Sequence, residues 1–484
     1  MAEQREREMR FSDRMTDHES LMWNVEKDPW LNPSGASLTI LDGKIDEEHF
    51  RRTLRRAVAK MPRLYERVVP GLGRLAPPAW VPDPEFDIEY HMRRLRLPKP
   101  GSERQLFDLA AQLYQEPFDR TRPLWRFVII DGLKGGRSAI WAIVHHAVSD
   151  GIGQLRMAEM YQQLEADAPL PDDIDLETIV AEAVESHHAK QLGGDLADGF
   201  PTTVAQSVSH LVRRQLGTAR RLAGEVVIWP ADPKRAKDAI EGAVTATTST
   251  VGALTGSGNE VAGGSPLWKT RSRHRHLEHV RVPLDELKAA SKRFGVTIND
   301  VFLAGLVEGS VRYHADRGVE VDAFNTSFVL STRQDSAVGG NSFTPVPVQV
   351  PGAPMPLDER IADIHERIAV KRASMSTGGG MGAMSSVANL LPTSVVTSAA
   401  RAAASKIDFA TSNLRGAPIP LYVSGARVLQ IVTMGPVAGT ACNATALSYE
   451  NGFDIGLFID PEAIDVPADF RDAIAAAFAD ILAA

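Results

Sequence analysis

The chain of 484 residues is too long for one ordinary hydrophobic core, which predicts two or three packing units. A hydrophobic content of 44% with 24% charged residues is typical of a globular protein, and the formal charge of −8 argues against nucleic acid as the main partner. The single cysteine excludes an intrachain disulfide, and no stretch resembles a signal peptide or a spanning helix, so we expect a cytoplasmic protein, either soluble or peripheral on the inner membrane or on lipid bodies.

The first third of the chain alternates strand-like and helix-like patterns. Residues 36–43 are typical of a strand, and apolar residues recur at helical spacing after Asp46. A second helix is predicted from Ser102, because a glutamine three residues later completes a capping-box pattern. Residues 124–131 and 137–145 form two apolar strands around a Gly-containing connection of hairpin length.

The middle of the chain differs in composition from both ends. Residues 203–229 are amphipathic and rich in arginine, so they either bind anionic lipid or lie across the protein's own lobes, and the second interpretation is favoured. Residues 243–265 are rich in Thr, Gly and Ser, which predicts a flexible connection. We therefore divide the chain into a disordered N-terminus (1–10), an N-terminal lobe (11–165), a helical and flexible crossover (166–270) and a C-terminal lobe (271–484).

The C-terminal half again mixes strands and helices. Thr297 is a predicted helix cap with Asp300 at the third position, and Gly318 lies just beyond the expected end of that helix. A helix from about Ala468 closes the chain. Strand-like patterns stand at 324–333, 344–350, 421–434, 443–452 and 453–460.

A polar cluster ends the apolar strand predicted at 137–145. Two histidines, His145 and His146, are followed within one turn by Asp150 and by Gly151, whose missing side chain permits a backbone dihedral that other residues resist. Side chains alternate along a strand, so one imidazole can line a cavity while the other packs. An imidazole at a strand end suits a general base, but satisfied structural histidines occur there equally often.

A second histidine pair provides an internal control. His187 and His188 lie in a polar, helical context without a following Asp-Gly, which indicates a surface position. Other histidine chemistries lack their partners here: there is no metal-ligand spacing, no Gly-x-Ser-x-Gly elbow, no Walker loop and no dinucleotide fingerprint. The remaining enzymatic interpretation is a base that activates a substrate hydroxyl directly.

These segments resemble a known family. His145–Gly151 looks like the HHxxxDG signature of the CoA-dependent acyltransferase superfamily, and residues 123–151 are similar to the wax ester synthase/diacylglycerol acyltransferase family over their whole length. Asn299–Asp300 resembles a second motif of that family, and residues 411–418 and 446–460 resemble two more. The resemblance is weakest in the crossover.

The resemblance implies an α/β (α+β) fold of two chloramphenicol acetyltransferase-like lobes, each a mixed sheet flanked by helices, with a tunnel between them. It implies that His146 takes the proton from a long-chain alcohol or diacylglycerol, whose oxygen attacks an acyl-CoA thioester without an acyl-enzyme. Acyl-CoA would be a co-substrate, and neither a metal nor another bound cofactor is expected.

The resemblance also implies two further sets of site residues. Site-shaping roles fall to His145, Asp150, Gly151, Asn299 and Asp300, with helix capping as an alternative for the last two. Tunnel-wall positions are Pro123, Leu124, Trp125, Ser412, Asn413 and Thr445. The hydroxyl of Thr445 is a candidate donor to the oxyanion.

Two positions depart from the family's usual pattern. Ile143 stands where many members carry a lysine, and the segment DGIGQ (150–154) lacks the small hydroxyl residue that usually follows the Asp-Gly. Both departures bear on acceptor choice and activity level. Two alternatives stay open: a related acyltransferase that uses a carrier-bound donor or a polyketide hydroxyl, and a catalytically silent lipid-binding member of the family.

Overall fold

The computed structural model describes residues 12–71, 77–192, 263–331, 343–376 and 393–484. Helices and strands are numbered below in chain order within these ranges. The predicted disordered N-terminus, the amphipathic segment 203–229 and most of the predicted flexible connection at 243–265 lie outside the described residues. The predictions for these three segments therefore stay predictions.

The N-terminal part of the chain alternates strands and helices, as its sequence pattern predicts. Its elements are α1 (Asp17–Val25), β1 (Ser34–Asp42), α2 (Glu47–Lys60), β2 (Glu66–Val69), β3 (Ala79–Pro82), α3 (Ile88–His91), β4 (Met92–Arg96), α4 (Glu103–Gln115), β5 (Trp125–Asp131), β6 (Ser138–His145), α5 (Gly151–Glu159) and α6 (Leu176–Leu192).

The C-terminal part contains the strands predicted from its alternating patterns, with the one predicted at 421–434 divided into β11 and β12, together with two that were not predicted, β7 and β10. Its elements are β7 (His276–Pro283), α7 (Leu284–Phe294), α8 (Ile298–Ala315), β8 (Ala323–Ser331), β9 (Phe343–Pro351), α9 (Leu357–Ser376), α10 (Thr393–Ala404), β10 (Phe409–Arg415), β11 (Tyr422–Val423), β12 (Ala426–Met434), β13 (Cys442–Tyr449), β14 (Gly452–Ile459) and α11 (Pro467–Ala483).

Local capping chemistry sets the start of several helices. The Ser102 hydroxyl accepts a hydrogen bond from the backbone N–H of Gln105, and the Gln105 side-chain oxygen accepts one from the backbone N–H of Ser102. The helix α4 therefore begins with the predicted capping box. Thr297 and Asp300 form the same box at the start of α8. Gly318 follows the end of α8 with a φ of 66°, a conformation that favours glycine.

Two six-stranded sheets form the cores of two lobes. The first has the strand order β11-β12-β1-β6-β5-β4, and the second has the order β7-β14-β13-β10-β8-β9. Both sheets are mixed: β4 runs parallel to β5 in the first, and β10 runs parallel to β13 and β8 in the second. The expectation of two lobes with mixed sheets flanked by helices is confirmed.

One pair of strands joins the sheet of the other lobe. Strands β11 and β12 lie in the sequence range assigned to the C-terminal lobe, 271–484, yet they extend the first sheet. β12 pairs antiparallel with β1, with Leu38 opposite Val432, and it covers the edge of β1 that β6 leaves open. A division of the chain into consecutive ranges therefore does not describe the lobes completely.

The two sheets meet at β12. A side chain at Gly456 on β14 would lie within bonding distance of the Thr433 carbonyl of β12, so only glycine permits this approach. The Thr433 hydroxyl donates to the Thr445 carbonyl of β13 at 3.0 Å, which adds a direct bond between the sheets. The cavity described below lies beside this junction.

No single helix in the described ranges is long and apolar enough to cross a membrane. Only α7 and α8 taken together have the length and apolar character of a spanning helix, and they are bent by 98° relative to each other.

Candidate functional site

A cavity of about 1290 Å³ lies between the two lobes. Elements α1, β1, β6 and α5 contribute its wall from the N-terminal part, and α10, β10, β12 and β13 contribute from the C-terminal part. Most of the lining side chains are apolar. One group of polar residues follows the end of β6, and another lies on β10, β12 and β13. This volume exceeds the range of about 300–1000 Å³ that is usual for small-molecule pockets.

The end of β6 sends the two adjacent histidines to different environments. The strand is buried along its whole length, and His145 pairs with Ser34 at its last position. The backbone N–H of His146 donates to the Pro33 carbonyl, which extends this contact by one residue. His146 lines the cavity, whereas the cavity wall does not include His145.

His145 is held by a polar network away from the cavity. Its Nδ1 accepts the backbone N–H of Ala147 at 2.9 Å, so its proton sits on Nε2, which lies 3.3 Å from a carboxylate oxygen of Glu26. Arg120 donates to the same Glu26 oxygen at 3.0 Å. Burial tends to raise the pKa of Glu26, but His145 and Arg120 outweigh it, and the pKa is lowered.

His146 is buried but remains part of the cavity wall. Burial, with His145 as the next largest influence, lowers the pKa of its ring to about 4. The charge of Asp150 and a hydrogen bond to the backbone of Ser149 oppose this shift. The imidazole is therefore neutral at physiological pH and can accept a proton.

Gly35 on β1 packs closely beside the ring of His146. A Cβ placed on Gly35 would lie 3.3 Å from Nε2 of His146 and 3.0 Å from both polar atoms of the Gln154 carboxamide. Gly35 and Gln154 also line the cavity. A larger residue at position 35 would therefore crowd both the imidazole nitrogen and the carboxamide.

Asp150 and Gly151 organise the start of α5. A carboxylate oxygen of Asp150 accepts the backbone N–H of Gly153 at 2.9 Å, which makes Asp150 the N-cap of the helix. Gly151 is the first helical residue and has no positive φ, so the expected special dihedral is wrong. Its small size matters instead, since a Cβ there would lie 3.1 Å from the Leu414 side chain of β10.

A hydroxyl lies beside Gly153, but it belongs to Ser149 and not to a residue that follows the Asp-Gly. A Cβ on Gly153 would lie 1.8 Å from the hydroxyl oxygen of Ser149, so the Ser149 side chain fills the space that a residue at 153 would take. Serine at 149 and glycine at 153 are therefore a matched pair in this chain.

Asn299 and Asp300 have different surroundings. The Asp300 carboxylate closes the capping box of α8 and lies 2.8 Å from Nδ1 of His365, which is the capping alternative foreseen for it. The Asn299 side chain accepts a hydrogen bond from the Asn413 amide at 3.0 Å. Neither residue lines the cavity, whereas Asn413 does.

Ser412 and Thr445 lie side by side in the cavity wall. The parallel register of β10 and β13 pairs them directly, and both line the cavity. The Thr445 hydroxyl donates to the side-chain oxygen of Asn443 at 2.6 Å. That proton is therefore engaged within the protein, and the role of Thr445 as oxyanion donor stays a prediction.

The predicted tunnel role of Pro123, Leu124 and Trp125 is wrong for this cavity, whose wall includes none of the three. Leu124 and Trp125 are fully buried in the core of the N-terminal lobe. The Trp125 indole N–H donates to the Leu64 carbonyl at 2.7 Å, and His91 stacks on its ring. Trp125 lies on the same face of β5 as Phe127, which does line the cavity, but Trp125 itself is packed in the core of the lobe.

His18 on α1 is a functional candidate that the sequence patterns did not reveal. Burial lowers the pKa of His18, while Asp150 acts against this shift. His18 in turn contributes to the low pKa of His146. The sequence offered no periodic or motif signal for it, because its proximity to Asp150 depends on the packing of α1 against the lobes.

The arrangement suits proton transfer to a neutral imidazole in a mostly apolar cavity. Among the described residues, no group of three or more His, Cys, Asp or Glu side chains is arranged to hold a metal ion. The only cysteine, Cys442, is buried, and burial raises the pKa of its thiol. The cavity wall also includes the carboxylates of Asp150, which caps α5, and Glu159, while His146 contributes an imidazole that is neutral at physiological pH.

Comparison with known families and proteins points in one direction. Residues 15–302 match the wax ester synthase/diacylglycerol acyltransferase catalytic domain, and residues 339–482 match the WS/DGAT C-terminal domain. A putative diacylglycerol O-acyltransferase of Mycobacterium tuberculosis is 28% identical over 483 residues, which cover 98% of this chain and 92% of that protein. Another from the same species is 31% identical over 430 residues, covering 84% and 83%.

Solved structures share the fold at low sequence identity. A wax ester synthase/diacylglycerol acyltransferase from Marinobacter aquaeolei VT8 aligns with a TM-score of 0.61 at 17% identity, covering 97% of this chain and 98% of that one. The first condensation domain of the calcium-dependent antibiotic synthetase aligns with a TM-score of 0.56 at 16% identity, covering 98% and 97%.

Proposed function

The chain belongs to the wax ester synthase/diacylglycerol acyltransferase family, and from this premise we propose that it transfers a fatty acyl group from acyl-CoA to a lipid hydroxyl. The proposed acceptor is a long-chain alcohol or a diacylglycerol. Acyl-CoA is a co-substrate, and the proposed reaction needs no bound cofactor or metal.

One observation carries the proposal: Nε2 of His146 lies beside Gly35 in the wall of a cavity that both lobes line. A general base must come within hydrogen-bond reach of the proton it removes. His146 lines the cavity, so an acceptor hydroxyl bound in the cavity can approach its ring. Since burial lowers the pKa of His146 to about 4, the ring is in its basic form at neutral pH.

The proposed mechanism is a direct transfer. His146 removes the proton from the acceptor hydroxyl while its oxygen attacks the thioester carbonyl carbon. The tetrahedral intermediate then loses the C–S bond, and the imidazolium returns the proton to the leaving CoA thiolate. Both substrates meet in one cavity, so much of the rate enhancement comes from their orientation.

We further propose that the protein works at a lipid surface, on a membrane or a lipid body. Two apolar side chains in the cavity wall reach solvent: Leu164 is 67% exposed and Ile419 is 48% exposed. Exposed apolar groups at the opening of a cavity suit contact with lipid, from which apolar acceptors could enter. Replacement of both by serine should reduce co-sedimentation with lipid vesicles that contain diacylglycerol, and unchanged co-sedimentation would argue against this location.

The function is tested by product analysis. The purified protein is incubated with isotopically labelled acyl-CoA and a mixed pool of long-chain alcohols, diacylglycerols and other hydroxyl compounds, and the products are identified by mass spectrometry. A parallel reaction uses acyl chains on a carrier protein. We expect labelled esters from acyl-CoA. Esters from the carrier alone would favour the related acyltransferase reaction, and the absence of ester in every reaction would contradict an enzymatic role.

A further inference from the structure

Gln154 places a carboxamide beside the proposed base. It lies on the first turns of α5, four residues after the cap Asp150, and it lines the cavity. A Cβ built on Gly35 would lie 3.0 Å from Nε2 and Oε1 of Gln154 and 3.3 Å from Nε2 of His146, so the carboxamide and the imidazole nitrogen lie close together beside Gly35. Because both side chains line the cavity, a ligand with two neighbouring oxygens can place one of them within hydrogen-bond distance of each side chain.

The carboxamide has hydrogen-bonding capacity left for a ligand. Its Nε2 donates to the Ser149 carbonyl at 3.3 Å, which uses one of its two hydrogens and fixes its direction. Among the described residues, no hydrogen bond is formed to its Oε1. One donor hydrogen and the acceptor oxygen therefore remain available next to His146.

The Gln154 carboxamide lies in a mostly apolar part of the cavity wall. Neighbouring lining residues of β1 and β6, such as Ala36, Ala142 and Val144, are apolar. A polar group that loses water in such a wall is stabilised only when it finds a new partner. A simple alkanol has one oxygen, which donates to His146 in the proposed reaction. Its other heavy atoms are carbons, so it provides no acceptor for the Gln154 N–H.

From this geometry we propose that Gln154 is a positioning residue that selects acceptors with a second oxygen next to the reacting hydroxyl. Its free N–H donates to that second oxygen while the hydroxyl donates to His146. Diacylglycerols carry such an ester oxygen two carbons from the free hydroxyl, whereas simple long-chain alcohols do not. The proposal rests on the proposed transfer to a lipid hydroxyl and specifies its acceptor class.

The experiment compares two acceptors of equal length. One is 1-hexadecanol, and the other is 2-(tridecyloxy)ethanol, in which an ether oxygen replaces one methylene next to the hydroxyethyl group. The ratio of their kcat/KM values is measured for the wild type, for Gln154→Met and for Gln154→Leu. Gln162→Met is the matched control, since Gln162 also lines the cavity but follows the end of α5, eight residues further along the chain.

We expect the wild type and Gln162→Met to prefer the ether alcohol by roughly 5- to 10-fold, the discrimination of one neutral hydrogen bond. Both Gln154 variants should bring that ratio close to one. A merely structural role for Gln154 would lower both rates and leave the ratio unchanged, and that result would overturn the proposal. A wild type without any preference would overturn it even if neither variant folds. Absence of ester from both acceptors would overturn the proposed function as well.

Discussion

Gly35 and His146 meet in the cavity wall, where a methyl group on Gly35 would lie 3.3 Å from Nε2 of His146. The two residues come from neighbouring strands, since β1 pairs antiparallel with β6. A side chain larger than glycine at position 35 would therefore press on the imidazole in this wall.

Enlarging residue 35 should impair the reaction more than the fold. Gly35→Ala places a methyl group against Nε2 of His146 and the Gln154 carboxamide, and Gly35→Val adds a larger side chain there, so kcat/KM should fall about 10-fold and about 100-fold, the latter a loss comparable to that of a general base. Alanine is about 0.5–1 kcal/mol more favourable than glycine inside a strand, and the long Gln154 side chain can shift, so the free energy of unfolding of Gly35→Ala should change by less than about 1 kcal/mol. Steady-state kinetics and denaturant unfolding check this pair, and full activity of Gly35→Val would contradict it.

The low pKa of His146 predicts an unusual pH profile. The imidazole is the base only when neutral, so kcat/KM should be constant at neutral pH and fall as pH drops through about 4. An ordinary imidazole would already be about 90% protonated at pH 5.5. Activity at pH 5.5 close to that at pH 7 is the expected result, with circular dichroism to verify folding. A midpoint near 6.5 would show that the ring is not buried as described.

Glu26 should contribute to stability more than to chemistry. Its carboxylate lies against His145 and Arg120, away from the cavity. Glu26→Gln removes this charge and should lower the free energy of unfolding by about 2 kcal/mol at neutral pH. Because the folded state lowers the pKa of Glu26, this difference should be full above about pH 5 and shrink as pH falls below the usual value for glutamate. A loss of activity without a loss of stability would contradict the assignment.

Asp150 should act as a helix cap and as a charge, and two variants separate these roles. Asparagine caps as well as aspartate, so Asp150→Asn should keep the unfolding free energy, whereas Asp150→Ala should lose about 1 kcal/mol. Both variants remove the charge that raises the pKa of His146, so the acid limb of kcat/KM should move to lower pH in each. An acid limb that stays in place in both would show that the charge does not reach His146.

Local features of the fold were predictable because their causes are local. The capping boxes at Ser102 and Thr297 involve residues three positions apart, and the hairpin of β5 and β6 joins neighbouring segments. The division of labour between His145 and His146 likewise follows from the alternation of side chains along a strand.

Features that depend on distant packing were not predictable from the sequence. The addition of β12 to the first sheet pairs two strands, β1 and β12, that are almost 400 residues apart in sequence. A tryptophan at position 125 suits a tunnel wall and a hydrophobic core equally well. Only the packing of His91 on its ring shows that it belongs to the core. Gly35 carries no motif at all, because its role is to be small opposite a ring more than 100 residues further along the chain.

The most direct test of the account is the rate of ester formation by His146→Ala. His188→Ala is the matched control, since His188 is the exposed member of the second histidine pair, on α6. With acyl-CoA and a lipid hydroxyl acceptor, the account predicts that His146→Ala loses at least about 100-fold in kcat/KM while its unfolding curve and that of the control stay close to the wild type. Equal rates for the wild type and a folded His146→Ala variant would contradict the assignment of His146 as the base.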